Sequence, residues 1–173
     1  GPYTRNRIKN AGAGARARRT IRPETPRIVH RGGSRIFKTI MVPVDLAHLE
    51  ALQKSLSVAA DMAAHYHAAL CYVGVTTSQP GEVARTPEEY EDKLQAFARE
   101  HAPVNGQAPS VRVYRSHDPV TDLDDILLRA IDELEADLVV MGTHLPRHID
   151  AIMPANGSKV AAHTDVSVFL VRP

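Results

Sequence analysis

Apolar and polar residues follow two different periods along this chain, and the two periods alternate. The segment 36–44 (IFKTIMVPV) is almost wholly apolar over the length of a strand, which predicts a first strand buried on both faces. From residue 49 to about residue 66, leucines and alanines recur three and four residues apart. This spacing predicts an amphipathic helix that covers one face of a sheet.

The alternation continues to the end of the chain. Thr86 and Glu89 have the spacing of a capping box, which predicts the start of a second helix. Further strands are predicted at 68–76, 110–114, 136–142 and 166–172, and further helices at 86–98, 119–134 and 158–164. Alternation of this kind predicts the α/β class, with a five-stranded parallel sheet, helices on both faces and the strand order 3-2-1-4-5.

Candidate functional residues lie where the predicted strands end. In an open parallel sheet, ligands bind beyond the carboxyl ends of the strands where the strand order reverses, here between the first and fourth strands. Asp45, Val73 and Gly142 are at such ends. Gly142 allows a ligand to approach the backbone. The Asp45 carboxylate is suited to accept hydrogen bonds from a ribose or to orient a hydrated metal ion, the alternative being a cap on the next helix.

A second candidate feature is the pair Gly157 and Ser158, which opens the last predicted helix. Free N–H groups and a hydroxyl at a helix start are suited to bind a phosphate. The alternative is an ordinary turn in which Ser158 caps the helix. Because the preceding strand ends in Met141 and Gly142, we interpret the two features together as a nucleotide pocket.

Charge is distributed unevenly. Residues 1–35 hold ten Lys and Arg residues and one acidic residue, Glu24, whereas the remaining residues hold 11 basic and 19 acidic ones. The segment has no sustained apolar period, so we expect residues 1–35 to be a disordered tail, or sequence upstream of the natural start, and residues 36–173 to be the domain. An import signal and a nucleic-acid arm are the alternatives, but Tyr3 alone among aromatic residues interleaves with the arginines, so nucleic-acid binding is not expected.

Other function classes lack their motifs. The single cysteine, Cys71, lies in an apolar run and excludes a disulfide framework within the chain. Apolar stretches are too short to span a bilayer, so we expect a cytoplasmic protein without membrane insertion. We find no P-loop, nucleophile elbow or paired general acid and base, so we expect neither an enzyme nor catalytic residues. The histidines match no known metal-ligand spacing, so we expect no protein-bound metal.

Several separated segments together resemble the universal stress protein family. They are FKTIMVPVD (37–45), ADLVVMGT (136–143), Gly157-Ser158 and VSVFLVR (166–172). The resemblance extends from about residue 36 to the end of the chain. Three further segments, SHDP (116–119), DLDD (122–125) and PANG (154–157), are most similar to a member associated with a compatible-solute transporter.

The resemblance implies a fold of the adenine nucleotide alpha hydrolase type and an ATP-binding regulatory module that forms a homodimer through its final strand. It also implies Mg²⁺ bound through the phosphates, and a transporter or another regulatory protein as partner. The residues it implies at the nucleotide are Pro43, Val44 and Asp45 beside the adenosine, Val73 at the adenine through its backbone, Met141, Gly142 and His144 along the nucleotide, and Gly157, Ser158, Lys159 and Val160 at the phosphates.

The chain departs from the family's ATP motif in two ways. Leu145 replaces the second glycine, and eleven residues, 146–156, precede Gly157 where the motif has nine. A β-carbon at residue 145 is expected to obstruct a tight phosphate loop, unless the longer loop takes another path. We therefore expect an ATP-binding regulator whose phosphate loop changes a partner-binding surface. A nucleotide-independent interaction module is the alternative, and a weak ATP hydrolase is a more remote one.

Overall fold

The computed structural model describes residues 36–104, 107–143 and 156–172, with backbone only at Val120 and at 156–159. All of these residues belong to one compact unit, Ser34–Pro173. The predicted tail, residues 1–35, lies outside the described residues.

Within the described ranges, five strands alternate with four helices, as the sequence predicts. The strands are β1 (Thr39–Pro43), β2 (Ala69–Thr77), β3 (Ser110–Ser116), β4 (Leu138–Gly142) and β5 (Ser167–Val171), and the helices are α1 (Leu49–Tyr66), α2 (Pro87–Glu100), α3 (Pro119–Glu133) and α4 (Asn156–His163). β1 is shorter than predicted at its start, where Ile36 is 53% exposed. β3 is longer than predicted, because its pairing with β2 continues as far as Thr77 and Ser116.

The strands form one parallel sheet in the order β3-β2-β1-β4-β5, which confirms the predicted topology. The order reverses between β1 and β4. Because the strands are parallel, the carboxyl ends of β1, β2 and β4 lie at the same end of the sheet, which we call its carboxyl edge. The candidate residues at the strand ends therefore share this edge.

Helices cover both faces of the sheet. Ile40 and Val42 of β1 belong to a core that includes α1 and α2, whereas Met41 belongs to a second core that includes α3 and α4. Alternate residues of β2 and β4 divide in the same way, since successive side chains of a strand point to opposite faces. Two-sided burial explains why these strands are continuous apolar runs. We call the two sides the α1–α2 layer and the α3–α4 layer.

Asp137, the residue before β4, ties β4 to β1. Its Oδ1 accepts hydrogen bonds from the backbone N–H groups of Lys38 (3.1 Å) and Thr39 (3.0 Å), and its Oδ2 accepts one from Lys38 (2.8 Å). The Asp137 N–H in turn donates to the Thr39 carbonyl at 3.1 Å. Asp137 is therefore a structural residue at the edge of the sheet opposite the candidate site.

The predicted cap on α2 is confirmed. Thr86 is the N-cap residue, and its Oγ1 accepts a hydrogen bond from the Glu89 N–H at 3.1 Å. The Glu89 carboxylate accepts from the Arg85 N–H at 2.8 Å, one residue before the position that a standard capping box uses. Both interactions fix the residue at which α2 begins.

None of the helices in the described part of the chain is both long enough and apolar enough to cross a membrane.

Candidate functional site

A cleft opens at the carboxyl edge of the sheet, between the ends of β1 and β2 and the first half of α3. Its described lining comprises Pro43, Val44, Asp45, Val73, Val75, Pro119, Leu123 and Leu127. Asp45 is the charged residue among these, and the others are apolar. The cleft therefore offers a planar apolar ligand two hydrophobic walls, with a carboxylate at its lip.

Four residues predicted from the sequence are brought together here, namely Pro43, Val44, Asp45 and Val73. β1 and β2 are held together at this end because the Val44 N–H donates to the Val73 carbonyl at 2.8 Å. That bond uses one of the two acceptor positions on the Val73 carbonyl. The contact of the Val73 backbone with adenine, as the resemblance implies, remains a prediction.

The wall contributed by α3 was missed by the sequence analysis. Pro119, Leu123 and Leu127 recur every four residues, so they lie along one stripe of the helix. That stripe was visible in the sequence, but the same spacing also describes an ordinary core-facing helix. Only the position of α3 beside the ends of β1 and β2 makes the stripe a cleft wall.

The start of α3 is held in place by a small hydrogen-bond network. The Ser116 hydroxyl donates to Oδ2 of Asp122 at 2.8 Å and accepts from the Asp118 N–H at 3.0 Å. The Asp118 carboxylate accepts from the Thr121 hydroxyl at 2.9 Å. These bonds join the end of β3 to the first turn of α3, and they position Pro119 at the mouth of the cleft.

Asp45 lies in the turn between β1 and α1. Its Oδ1 accepts from the Ala47 N–H at 2.9 Å, and its Oδ2 is 2.8 Å from Nδ1 of His48. The N-cap residue of α1 is His48, which makes no side-chain capping bond. Asp45 thus stabilises the turn rather than capping α1. Its side chain remains 29% exposed, so the carboxylate is available to a ligand in the cleft.

Met141 and Val160 have buried side chains. Their exposed fractions are 1% and 0%, and both belong to the core of the α3–α4 layer, together with Val73. The contact of Met141 with a nucleotide, as the sequence analysis expects, remains a prediction. Val160 places α4 on the same side of the sheet as the cleft.

Gly142 packs against α1. A β-carbon at this position would lie 3.1 Å from the Ser55 Oγ and 3.2 Å from the Leu52 Cδ2. The missing side chain therefore allows close contact between β4 and α1. The approach of a ligand to the Gly142 backbone, as the sequence analysis expects, remains a prediction.

The remaining predicted residues lie in or before α4. His144 and Leu145 lie outside the described residues. α4 begins at Asn156, so Gly157, Ser158 and Lys159 are in its first turn. Backbone N–H groups in the first turn of a helix have no acceptor within the helix, and the helix dipole favours an anion there. This backbone arrangement favours the binding of an anion such as a phosphate.

Tyr90 of α2 lies behind the Asp45 turn and is 5% exposed. Burial, together with the negative charge of Asp45, raises the pKa of Tyr90 to about 12, while a hydrogen bond with the Leu46 backbone acts in the opposite direction. The hydroxyl is therefore uncharged at neutral pH, and it adds no negative charge next to the cleft.

In the described ranges, no three His, Cys, Asp or Glu side chains are arranged to hold a metal ion.

Comparison with known proteins shows the family to which this chain belongs. The model of the universal stress protein family matches residues 36–172. Universal stress protein G of Salmonella typhimurium is 25% identical over 142 residues, which cover 79% of this chain and 100% of the relative.

Solved structures share the fold. A universal stress protein in complex with cAMP is 22% identical with a TM-score of 0.55, covering 78% of this chain and 97% of that one. The universal stress protein from Archaeoglobus fulgidus in complex with dAMP is 18% identical with a TM-score of 0.51, covering 78% and 98%. The five-stranded sheet, its strand order and the family match agree, and the chain belongs to the universal stress protein family.

Proposed function

We propose that this protein is a regulatory module that binds an adenine nucleotide, ATP in the first place, at the cleft between β1, β2 and α3. The observation that carries the proposal is the apolar cleft at the carboxyl ends of β1 and β2, with a partly exposed carboxylate at its lip. Two structures of the same fold were solved with the adenine nucleotides cAMP and dAMP, which supports this choice of ligand.

The described residues fit the three parts of such a ligand. The walls formed by Val73, Val75 and Leu123 suit an adenine ring, which is planar and largely apolar on its faces. The Asp45 carboxylate suits the ribose hydroxyl groups, which donate hydrogen bonds. The first turn of α4, on the same side of the sheet, suits the phosphates, and Mg²⁺ would be bound through them.

Titration calorimetry on nucleotide-stripped protein tests the proposal, with Val75→Asp as the diagnostic variant. Val75 is half-buried and lines the cleft. Binding of the base would remove water from a carboxylate at this position, which is unfavourable, and the negative charge would repel the phosphates. We expect ATP with Mg²⁺ to bind the wild type and to bind Val75→Asp at least about tenfold more weakly.

Val113→Asp is the matched control. Val113 is also half-buried, but it packs against the core of the α1–α2 layer, on the opposite face of the sheet. We expect this variant to bind ATP as the wild type does. If wild-type protein gives no heat and no shift in melting temperature at millimolar ATP, the nucleotide-independent interaction module replaces this proposal.

We also propose that the regulator acts as a homodimer paired through β5, and that a transporter or another regulatory protein is its partner. β5 is at the edge of the sheet, and it exposes Phe169 and Leu170 by 45% and 40%. Exposed apolar residues on an unpaired strand edge favour pairing with another chain.

The hydrogen-bond register shows which backbone groups of β5 are directed outward. The Thr143 N–H donates to the Val171 carbonyl at 2.7 Å, so Val171 faces β4. Backbone groups alternate along a strand, and those of Val168 and Leu170 therefore point away from β4, to the side on which no described strand lies.

Val168→Pro should convert dimers to monomers, because it removes an outward N–H and places a proline ring at the pairing edge while leaving the bonds to β4 in place. Analytical ultracentrifugation at micromolar concentration measures the change. Val168→Ala, which keeps the N–H, should remain dimeric. A wild-type chain that sediments as a monomer would exclude this mode of assembly.

A further inference from the structure

Tyr90 connects α2 to the turn that carries Asp45, and nothing in the nucleotide site as described above uses it. Its side chain crosses β2 at Gly74. A β-carbon on Gly74 would lie 2.6 Å from Cε1 of Tyr90 and 3.1 Å from its hydroxyl oxygen. The tyrosine ring therefore rests directly on the β2 backbone, and only a glycine at residue 74 leaves room for it.

The other end of the ring reaches the turn after β1. Pro43 pairs with Val73, the residue before Gly74, so the chain after β1 continues beside the strand position that the ring covers. Tyr90 and Val44 belong to the same buried core, and Leu46 packs against that core. The negative charge of Asp45 and the Leu46 backbone both act on the pKa of the Tyr90 hydroxyl, which agrees with this placement. The hydrogen bonds of the Asp45 carboxylate to Ala47 and His48 come from within the same turn. Tyr90 thus approaches this turn from a different element, α2, and does so across β2.

α2 holds Tyr90 firmly. The Tyr90 N–H donates to the Thr86 carbonyl at 3.1 Å in the capped first turn of the helix. One turn later, Leu94 is fully buried, and its Cδ2 would also be 3.1 Å from a β-carbon on Gly74. The helix therefore packs on β2 through both side chains, which leaves the ring little freedom to move away from Gly74.

We propose that Tyr90 is a positioning residue, which wedges between Gly74 and the turn at Asp45 and Leu46 and so sets the place of the Asp45 carboxylate at the lip of the cleft. The inference rests on the proposed function, since it assigns Tyr90 to ribose recognition by Asp45. Tyr90 itself faces the α1–α2 layer and does not line the cleft.

Tyr90→Phe tests the proposal, because it keeps the ring on Gly74 and removes the hydroxyl. Amide hydrogen exchange of Leu46 and Ala47, measured by NMR without nucleotide, should become at least about fivefold faster, as expected for the loss of one hydrogen-bonding group. Affinity for ATP should fall about fivefold, whereas affinity for 2′,3′-dideoxy-ATP, which lacks the ribose hydroxyls, should change by less than about twofold.

Tyr72→Phe is the matched control. Tyr72 is a fully buried tyrosine of β2, and its hydroxyl donates to the His101 carbonyl at 3.1 Å, at the other end of α2. It should alter neither the exchange of Leu46 and Ala47 nor the ratio of the two affinities. The same change in Tyr72→Phe as in Tyr90→Phe would show a general loss of stability, and it would overturn the inference.

The two proposals fail separately. Wild-type protein that binds no ATP refutes the proposed function. The exchange rates at Leu46 and Ala47 then still test whether Tyr90 holds the turn after β1. Wild-type protein that binds ATP, together with Tyr90→Phe that keeps both the exchange rates and the affinity ratio, overturns the role of Tyr90. In Tyr90→Phe combined with Asp45→Asn, the losses of affinity should be less than additive, because both act on the same contact.

Discussion

Truncation of Leu127 to alanine is expected to lower the free energy of unfolding by about 3 kcal/mol, within the range for large-to-small substitutions in a packed core. Leu127 is fully buried in the core of the α3–α4 layer, and it also lines the cleft. The loss combines the hydrophobic transfer free energy of the removed carbons with the cost of a new cavity. Urea denaturation followed by circular dichroism measures it.

The neighbouring Leu128 is the control. It is half-buried and packs at the border of the same core, so Leu128→Ala should cost about 1 kcal/mol. Equal losses in the two variants would show that α3 packs on the sheet through a different stripe from the one described. That result would also remove the α3 wall from the candidate site.

Replacement of Asp137 by alanine should lower the free energy of unfolding by about 2–3 kcal/mol, because the backbone N–H groups of Lys38 and Thr39 lose a charged acceptor. The Lys38 site is exposed and water replaces the carboxylate there, whereas the Thr39 bond is partly buried. Denaturant titration at neutral pH measures the loss.

Two substitutions bracket this effect. Asp137→Asn keeps one acceptor oxygen and should lose less than Asp137→Ala. Asp132→Ala removes an exposed carboxylate near the end of α3 and should change stability by no more than about 0.5 kcal/mol. ATP binding should be unaffected in Asp137→Asn, since Asp137 lies at the opposite edge of the sheet from the cleft. A selective loss of ATP binding in this variant would contradict the structural role of Asp137.

The fold was predictable from the sequence because both faces of β1, β2 and β4 are buried. Two-sided burial produces continuous apolar runs, and the intervening helices carry a distinct period, so element order and class follow directly. The ends of the elements were less certain. They depend on pairing with the neighbouring strand, as at Ser116, or on local exposure, as at Ile36.

The candidate site was predictable where chain position alone brings residues to the carboxyl edge, as for Asp45 and Val73. It was not predictable where tertiary packing decides the surroundings of a side chain. Leu123 has the same spacing as a core residue, and Gly74 has no sequence pattern that reveals the ring of Tyr90 beside it. Met141, expected along the nucleotide, has a buried side chain, which the apolar strand pattern is unable to distinguish from a cleft wall.

Because of the two strand glycines, Gly74 and Gly142, the α1–α2 layer tolerates fewer single substitutions than the α3–α4 layer does. Side chains of the α1–α2 layer pack directly on each glycine. Tyr90 packs on Gly74, and Leu52 and Ser55 pack on Gly142. Substitution on that side requires compensating changes in a helix and a strand at once. The cleft-lining stripe of α3 packs against no described glycine, so a substitution at Pro119, its half-buried first residue, can reshape the mouth of the cleft without a matching change in the opposite layer. Divergence in ligand preference among descendants of this chain would accordingly accumulate in α3 before it reached the sheet.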